Sequence, residues 1–499
     1  MKEPQSQTPT APRWRFRFSL RTLLIAMPIL AALLGWLGNT KLKHDRETGA
    51  RDKLAAKFGG VWGAVKIHGD DQSASRFFQL KPYGVTFEER ENNAPWAAAD
   101  WKMVRELHSL REFRLVGYKG PADGPTFAQA SQVRQLSLFD CQLTTSDLQQ
   151  INALSQLQKL IIYAPASVDK SNPQQRMTQA SLDLTPLHVA PQSWPQLASL
   201  ELSDMQIPDQ SLAAIAQLPA LEVLDMHSCD VHTRALDQLK DAVKLKSLEF
   251  TPQKRNDAGE FVGGQLFRVV DERNLAQWGP LPELKYLRLN DVVLANFGGS
   301  QTGRWPQLES LSLSGSTLST QALREIAAMP KLAELTLTNC MVARDALSAL
   351  DQSVSLTKLE IRSPPILRYD DLGRLPHPPQ LRTLDLTGAA FDDRALRDVA
   401  KLDRLEVLRL TAGDFTDRGV ALLENHSALL HVHLYSSRLT NRSLASLAAI
   451  KTLSLADCNL ISPEIGEDLL AEVQTLDSEG GDVKALLKQK GITPAEPLP

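Results

Sequence analysis

Large apolar residues recur along this chain in a short pattern, L-x-x-L-x-L, that returns about every 24 residues. The pattern reads LESLSL at 308–313 and LAELTL at 332–337. Most intervals between copies are 23–25 residues, and two are longer, at 40 and 39 residues. Such a period predicts one repeated structural unit over about three-quarters of the chain. With its central leucine as position 0, the unit occurs at Phe113, Leu136, Leu160, Leu200, Leu224, Leu248, Leu287, Leu311, Leu335, Leu359, Leu384, Leu408, Val432, Leu453 and Leu476.

Each unit has the same internal order of apolar and polar positions. Positions 0 and +2 are apolar and alternate with polar residues, which predicts a strand. Apolar residues at +12, +15 and +18, such as Leu323, Ile326 and Met329, share one face of a short helix. A proline at −5 ends that helix in several units. Position +9 is predicted to cap the helix and carries Asp209, Thr233, Thr320, Asp393, Asp417 and Asn441.

The repeated unit resembles the leucine-rich-repeat family. The stretches VRQLSLFDCQL at 133–143 and LAELTLTNCMV at 332–342 carry the resemblance, and they are similar to the cysteine-containing and ribonuclease-inhibitor-like subtypes. The resemblance implies an α/β solenoid with a curved parallel sheet on its concave face and short helices on its convex face. It also implies that the protein binds other proteins. A single unit cannot bury its apolar side, so stacking of the units supplies the core.

The basic N-terminal region surrounds an apolar run, TLLIAMPILAALLGWLG at 22–38. Its 17 residues span about 25 Å as a helix, the short end of what crosses a bilayer. The run predicts a transmembrane helix with the N-terminus inside; a cleaved signal peptide is the alternative, although no small-x-small site follows. The segment RFRFSLRTLL at 15–24 is similar to the opening of some bacterial membrane-anchored proteins. We therefore expect a single-pass protein of the cytoplasmic membrane with its repeats outside the cytoplasm.

These patterns divide the chain into five predicted parts. Residues 39–106 are expected to hold a juxtamembrane helix and a cap over the first repeat. The solenoid carries two insertions that leave the same edge, near 164–193 and 252–280. In chain order the parts are a basic cytoplasmic N-terminus at 1–21, the transmembrane helix at 22–38, the helix and cap at 39–106, the solenoid at 107–480, and a C-terminal cap and tail at 481–499.

Charge is unevenly distributed between the two ends of the chain. Net charge is −3, but residues 1–53 carry ten Lys/Arg and four Asp/Glu, a balance of +6, which leaves −9 for the rest. An acidic body offers no electrostatic surface for nucleic acid, so no nucleic-acid partner is expected.

The four cysteines all fall at position +5, where the side chain turns inward: Cys141, Cys229, Cys340 and Cys458. The nearest pair is three units apart, about 14 Å at the spacing of adjacent strands, and a disulfide needs Cα atoms within about 7 Å. They are predicted to be buried free thiols.

Positions +1 and +3 should face the concave side. Glu201, Asp225 and Glu249 occupy +1 in three consecutive units, and we predict that they hold a basic segment of a partner, with His227 at +3 beside them. The alternative is an ordinary solvated acidic surface. Phe139 and Tyr163 are adjacent at +3 and are candidate contacts for a protein or peptide, unless the first insertion covers them.

Catalytic and metal chemistry find little support in the sequence. The motifs of metalloproteases, serine hydrolases, nucleotide-binding loops and redox dithiols do not occur, so no enzymatic activity and no cofactor are expected. His431 and His433 form an H-x-H pair, but Arg409 is expected beside them, and no metal is predicted. Calcium is disfavoured because no loop has alternating oxygen ligands. Three alternatives to a binding protein stay open: a substrate-recognition subunit, an enzyme whose site lies in the insertions, and a packing role in the cell envelope.

Overall fold

The structure is a computed structural model that covers the repeats and the segment before them. It describes residues 20–58, 65–68, 83–88, 96–118, 127–163, 194–252, 270–271, 278–294, 304–362, 374–435, 438–447, 452–456 and 475–477, leaving out positions 142, 232, 279, 389, 390 and 412 within these ranges.

The main element is one long sheet to which each unit contributes a strand. The described strands are β1 Val65–His68, β2 Tyr83–Glu88, β3 Leu110–Val116, β4 Gln135–Phe139, β5 Lys159–Tyr163, β6 Ser199–Ser203, β7 Gln206–Ile207, β8 Val223–Val231, β9 Ser247–Pro252, β10 Val270–Asp271, β11 Tyr286–Asn290, β12 Val292–Leu294, β13 Ser310–Ser314, β14 Thr317–Leu318, β15 Glu334–Thr338, β16 Met341–Val342, β17 Lys358–Arg362, β18 Thr383–Thr387, β19 Val407–Thr411, β20 His431–Tyr435, β21 Thr452–Ala456 and β22 Thr475–Asp477. In the long sheet the strands pair in the order β1, β2, β3, β4, β5, β6, β8, β9, β11, β13, β15, β17, β18, β19, β20, β21, β22, and all these pairs are parallel except β1–β2.

The register confirms the predicted repeat. Each position-0 residue is the Cα partner of the position-0 residue in the next unit, from Phe113 and Leu136 through to Leu453 and Leu476. The described side chains at 0 and +2 are buried, as Leu311 and Leu313 illustrate. The prediction of an α/β solenoid with a parallel sheet is therefore confirmed.

A left-handed residue ends the strand in most units. Position +4 has positive φ wherever it is glycine, aspartate or asparagine in the described units, which are the residue types that adopt this conformation at least cost, and also at Ser228. Gly315 has φ +61°, and a Cβ there would lie 2.4 Å from Asp291 Oδ1, so a larger residue would have to displace that carboxylate. The members are Gly117, Asp140, Asp204, Ser228, Asp291, Gly315, Asn339 and Gly388.

Helices return the chain from one strand to the next. The α-helices of the repeats are Thr145–Asn152, Asp209–Ala216, Thr320–Ala327, Asp393–Val399, Asp417–Val420 and Asn441–Ser446, and 3-10 helices span Phe127–Ala130, Thr233–Asp241, Ala346–Gln352 and Ala421–Leu423. A small parallel sheet of β10, β12, β14 and β16 joins the turns of neighbouring units.

The predicted helix caps at +9 are wrong by one residue. Side chains at +8 accept the capping hydrogen bonds: Thr144, Ser319, Asp392 and Thr416 each bond a backbone N–H of the first turn. Two of the +9 aspartates, Asp393 and Asp417, instead link neighbouring units. Asp393 accepts from Thr416 N at 2.7 Å and from Thr416 Oγ1 at 2.8 Å, and Asp417 accepts from Thr440 N at 2.8 Å and from the hydroxyls of Thr440 and Ser443.

The link at Asp417 should make stability depend on pH. Partial burial raises the pKa of Asp417, but hydrogen bonds from Ser443 and Thr440 outweigh it and hold the pKa below its usual value. A lowered folded-state pKa gives stability that is complete above about pH 4 and is lost as pH falls through the folded pKa. Asp417→Asn should therefore lower the free energy of unfolding by about 1 kcal/mol at pH 7 and by less below pH 4, measured by urea unfolding. Asp414→Asn, which breaks an exposed ion pair with Arg438, should change it by less than about 0.5 kcal/mol.

An aromatic cluster covers the first repeat. Helices α1 (Leu20–Phe58) and α2 (Ala98–Glu106) pack against each other before β3, and Trp101 lies within 6 Å, between ring centroids, of Trp96, Phe113, Tyr118 and Phe127. Lys57 pairs with Asp100, and the buried Glu47 accepts hydrogen bonds from Ser109 N and Oγ at 3.0 and 3.2 Å. The second half of α1 is thus docked on the solenoid.

The predicted transmembrane helix at 22–38 is wrong. Among the residues described here, no helix combines the length and apolar character that a bilayer crossing requires. The apolar run has 17 residues, fewer than the about 20 that span the hydrocarbon core. It is the first part of one helix, Leu20–Phe58, which continues through charged residues to the buried Ala50, Leu54 and Phe58.

Three predicted features cannot be compared with the structure. The insertions near 164–193 and 252–280 lie almost entirely outside the described residues, and so do the basic segment before residue 20 and the C-terminal cap and tail at 481–499.

Candidate functional site

Three carboxylates lie side by side on the face of the sheet that points away from the core. Glu201, Asp225 and Glu249 are Cα partners on β6, β8 and β9. Their side chains are only 21%, 19% and 18% exposed, so each carboxylate is largely covered by its neighbours. We call these three residues the acidic triad. Adjacent strands are about 4.8 Å apart, so the rigid sheet keeps like charges close together.

Cations pair with the two outer members of the acidic triad. Lys159 Nζ lies 2.6 Å from Glu201 Oε1, and Arg288 Nη1 lies 3.1 and 3.2 Å from the two oxygens of Glu249. The sequence pattern predicted the positions of the carboxylates but not these two ion pairs. Lys159 is at position −1 rather than +1, and an interval of 39 residues separates the units that carry Glu249 and Arg288. Among the described residues, no Lys or Arg side chain pairs with the central Asp225.

His227 lies above the middle of the acidic triad. Its Nε2 is 3.3 Å from Asp225 Oδ1 and 3.5 Å from Glu249 Oε1. Interaction with the Asp225 carboxylate raises the pKa of His227 above its ordinary value, although partial burial acts in the opposite direction. The other ring nitrogen, Nδ1, is 3.4 Å from Thr251 Oγ1, which accepts a hydrogen bond from Asn290 Nδ2 at 2.5 Å.

The two predicted aromatic residues are in contact. Phe139 and Tyr163 have ring centroids 4.9 Å apart at 79°, and the Arg114 guanidinium lies 4.2 Å from the Phe139 centroid. Burial, and then the carboxylates of Glu201 and Asp225, raise the pKa of Tyr163. Tyr163 is two strands from His227 along the +3 row, about 10 Å, so the aromatic pair and the acidic triad share one surface.

A second acidic pair on the same face escaped the sequence analysis as a distinct feature. Glu360 and Asp385 are Cα partners, and their side chains are 9% and 6% exposed. Arg362 Nη2 bridges them at 3.0 and 3.3 Å, and Lys358 adds a contact to Glu360 at 3.0 Å. The pair is neutralised within the chain and offers little to an external cation.

The H-x-H residues do not form a comparable cluster within the described part of the chain. His431 and His433 lie on β20 opposite Val407 and Arg409, so a cation flanks them as expected.

The described cysteines are buried. Cys141, Cys229 and Cys340 are free thiols, and each Sγ contacts a carbonyl oxygen of the preceding unit: Leu115, Leu202 and Leu313. Burial raises the pKa of Cys340 to about 11, which keeps it protonated and unreactive. Cys458 lies outside the described residues.

The repeated strand–turn–helix unit and the continuous parallel sheet define a leucine-rich-repeat-like solenoid. No known protein-family model matches the sequence, and no curated protein sequence is significantly similar to it. Among solved structures, the chain resembles an internalin from Listeria monocytogenes, with 16% identity, a TM-score of 0.40, and coverage of 71% of this chain and 82% of the internalin. It also resembles TLR13 in a complex with ssRNA13, with 18% identity, a TM-score of 0.42, and coverage of 77% of this chain and 54% of that one. These similarities are too distant to argue for a ligand.

Proposed function

We propose that the protein recognises another protein or a peptide through the outer face of its sheet, without catalytic activity of its own. A basic segment of the partner would contact the acidic triad, and an apolar residue next to it would contact Phe139 and Tyr163. The cysteine at +5 supports the cysteine-containing repeat subtype.

The single observation that carries the proposal is the incomplete neutralisation of the acidic triad. Lys159 and Arg288 pair with its two ends, but in the part of the chain that the structure describes the one basic side chain paired with Asp225 is that of His227. An Arg or Lys side chain from a partner would supply the missing positive charge. The bridged pair of Glu360 and Asp385 shows how the same sheet neutralises acidic residues that need no partner.

Binding of a basic peptide tests this proposal. A fluorescein-labelled hexa-arginine peptide should bind the full chain in fluorescence anisotropy, and binding should weaken as salt screens the charges. The variant Glu201→Gln/Asp225→Asn/Glu249→Gln should bind at least about tenfold more weakly, because it lacks the three negative charges that attract the peptide. A tenfold change corresponds to about 1.4 kcal/mol of binding free energy.

The matched control removes three ion-paired carboxylates elsewhere on the solenoid. Glu222, Glu309 and Glu406 all occupy position −2 and pair with Lys246, Lys285 and Arg382. The triple Glu→Gln variant at these positions changes net charge equally and should bind the peptide like the wild type. Equal weakening in both variants would contradict the proposal, because it would show a response to overall charge.

A further inference from the structure

The geometry points to Asp225, His227 and Glu249 as a binding site for a divalent transition-metal ion, Zn²⁺ in particular. One ligand atom from each of these residues lies within 4.8 Å of the other two. The three come from positions +1 and +3 of β8 and position +1 of β9, so the register of the sheet places them together. The inference does not depend on a peptide partner.

Two of the three separations match those between ligands of a tetrahedral zinc ion, and the third is within 4.8 Å. Zinc binds imidazole nitrogen and carboxylate oxygen at about 2.0–2.2 Å, which places neighbouring ligand atoms roughly 3.3 Å apart. His227 Nε2 is 3.3 Å from Asp225 Oδ1 and 3.5 Å from Glu249 Oε1. Little movement is needed for one ion to contact all three.

A carboxylate oxygen of Asp225 that is shielded from solvent gives independent support for a cation at this site. Asp225 Oδ1 is shielded from solvent and is without a hydrogen-bond partner among the described residues. Its contact at 3.3 Å is with His227 Nε2, the nitrogen that would bind the metal. An unsatisfied buried oxygen destabilises the folded chain, and more so when it belongs to a charged group. A metal ion at this point would satisfy it.

The surrounding groups are those that orient metal ligands. His227 Nδ1 can donate to Thr251 Oγ1, which Asn290 holds in place, and this leaves the Nε2 lone pair for a metal. Arg288 bonds Glu249, and the retained contact would fix that carboxylate while one oxygen binds the ion.

The donor set favours zinc over the harder cations. Calcium takes six to eight oxygen ligands, and magnesium requires an octahedron of oxygens, whereas imidazole with two carboxylates suits zinc and its neighbours. Three protein ligands leave a fourth coordination position. It faces outward, because the His227 side chain is 37% exposed, so water or a side chain of a bound molecule can occupy it.

Calorimetric titration of ZnCl₂ into the metal-free full chain, in a buffer that does not chelate metals, tests the inference. We expect one high-affinity ion per chain. His227→Gln should weaken this binding at least about 100-fold, and Thr251→Val, which removes only the contact to Nδ1, about tenfold. Substitution with Co²⁺ provides a second readout, because visible absorption typical of tetrahedral N/O coordination should appear in the wild type and disappear in His227→Gln.

Glu201→Gln is the matched control, since Glu201 belongs to the acidic triad but is not among the three ligands. It should leave zinc affinity unchanged while weakening hexa-arginine binding, so the zinc site and the peptide site can fail separately. Absence of zinc binding by the wild type would overturn the inference. Wild-type affinity in both His227→Gln and Asp225→Asn, with the fold verified by circular dichroism, would also overturn it.

Discussion

Leu313→Asp is expected to break the solenoid at its middle and to cost more than about 5 kcal/mol. Leu313 is at position +2 of β13, fully buried, and its neighbours in the sheet are Leu289 and Leu337. Loss of a buried leucine costs about 2–5 kcal/mol, and burial of an unpaired carboxylate adds several more. The sum is comparable with the total stability of a typical domain, about 5–15 kcal/mol.

The Leu313→Asp substitution should first disrupt the interface between neighbouring units at Leu313, before the rest of the solenoid unfolds. Stability of a stacked repeat protein is close to a sum of unit and interface terms, so one failed interface separates the units before it from those after it. Urea unfolding should then change from one transition to two. Cys340, whose Sγ lies 3.3 Å from the Leu313 carbonyl oxygen, should become reactive towards a thiol reagent in native buffer, as located by mass spectrometry of labelled peptides.

Ser312→Asp is the matched control. The same charge is introduced one residue earlier on β13, where the side chain points to the outer face and Arg288 is the register partner. It should change the free energy of unfolding by less than about 0.5 kcal/mol and leave Cys340 unlabelled. A single transition at the wild-type midpoint for Leu313→Asp would contradict a shared core.

The sequence predicted the sheet in detail because side-chain direction alternates along a strand. Once leucines at 0 and +2 must both be buried in every unit, a shift of one residue would expose all of them, so only one register is possible. Leu224, Leu311 and Leu408 occupy equivalent positions for this reason. The position of the helix caps was harder to predict from the sequence. Positions +8 and +9 are both polar in Ser319-Thr320 and Asp392-Asp393, and either residue can form a hydrogen bond to the end of a helix.

The candidate site was predicted only in part, because its contacts join units of unequal spacing. The row of Glu201, Asp225 and Glu249 follows from the period alone. The pairing of Glu249 with Arg288 spans 39 residues, and the approach of His227 to two carboxylates depends on its rotamer, which no periodicity specifies. The N-terminal helix shows the opposite error. The apolar composition of 22–38 predicts a membrane span, but this run is the start of a longer helix that packs against α2, a contact that no local pattern indicates.

Trp101→Ala is expected to open the N-terminal end of the solenoid, with a loss of about 3–5 kcal/mol. Trp101 is fully buried among four other aromatic rings, including Phe113 at position 0 of the first unit. Truncation leaves a large cavity, and edge-to-face contacts worth about 0.5–1.5 kcal/mol each are lost. The first unit has another repeat on one side only, so loss of the cluster on its other side is not offset by a second repeat interface.

Urea unfolding followed by circular dichroism measures the loss, and limited proteolysis locates it. Cleavage should begin near α2 and β3 in Trp101→Ala, while β13 to β19 stay protected, because those units keep their own interfaces. Trp36→Ala makes the same chemical change at a side chain that is 56% exposed and should alter the free energy of unfolding by less than about 0.5 kcal/mol. Equal effects of the two substitutions, or early cleavage in the central units, would mean that the aromatic cluster does not hold the first repeat in place.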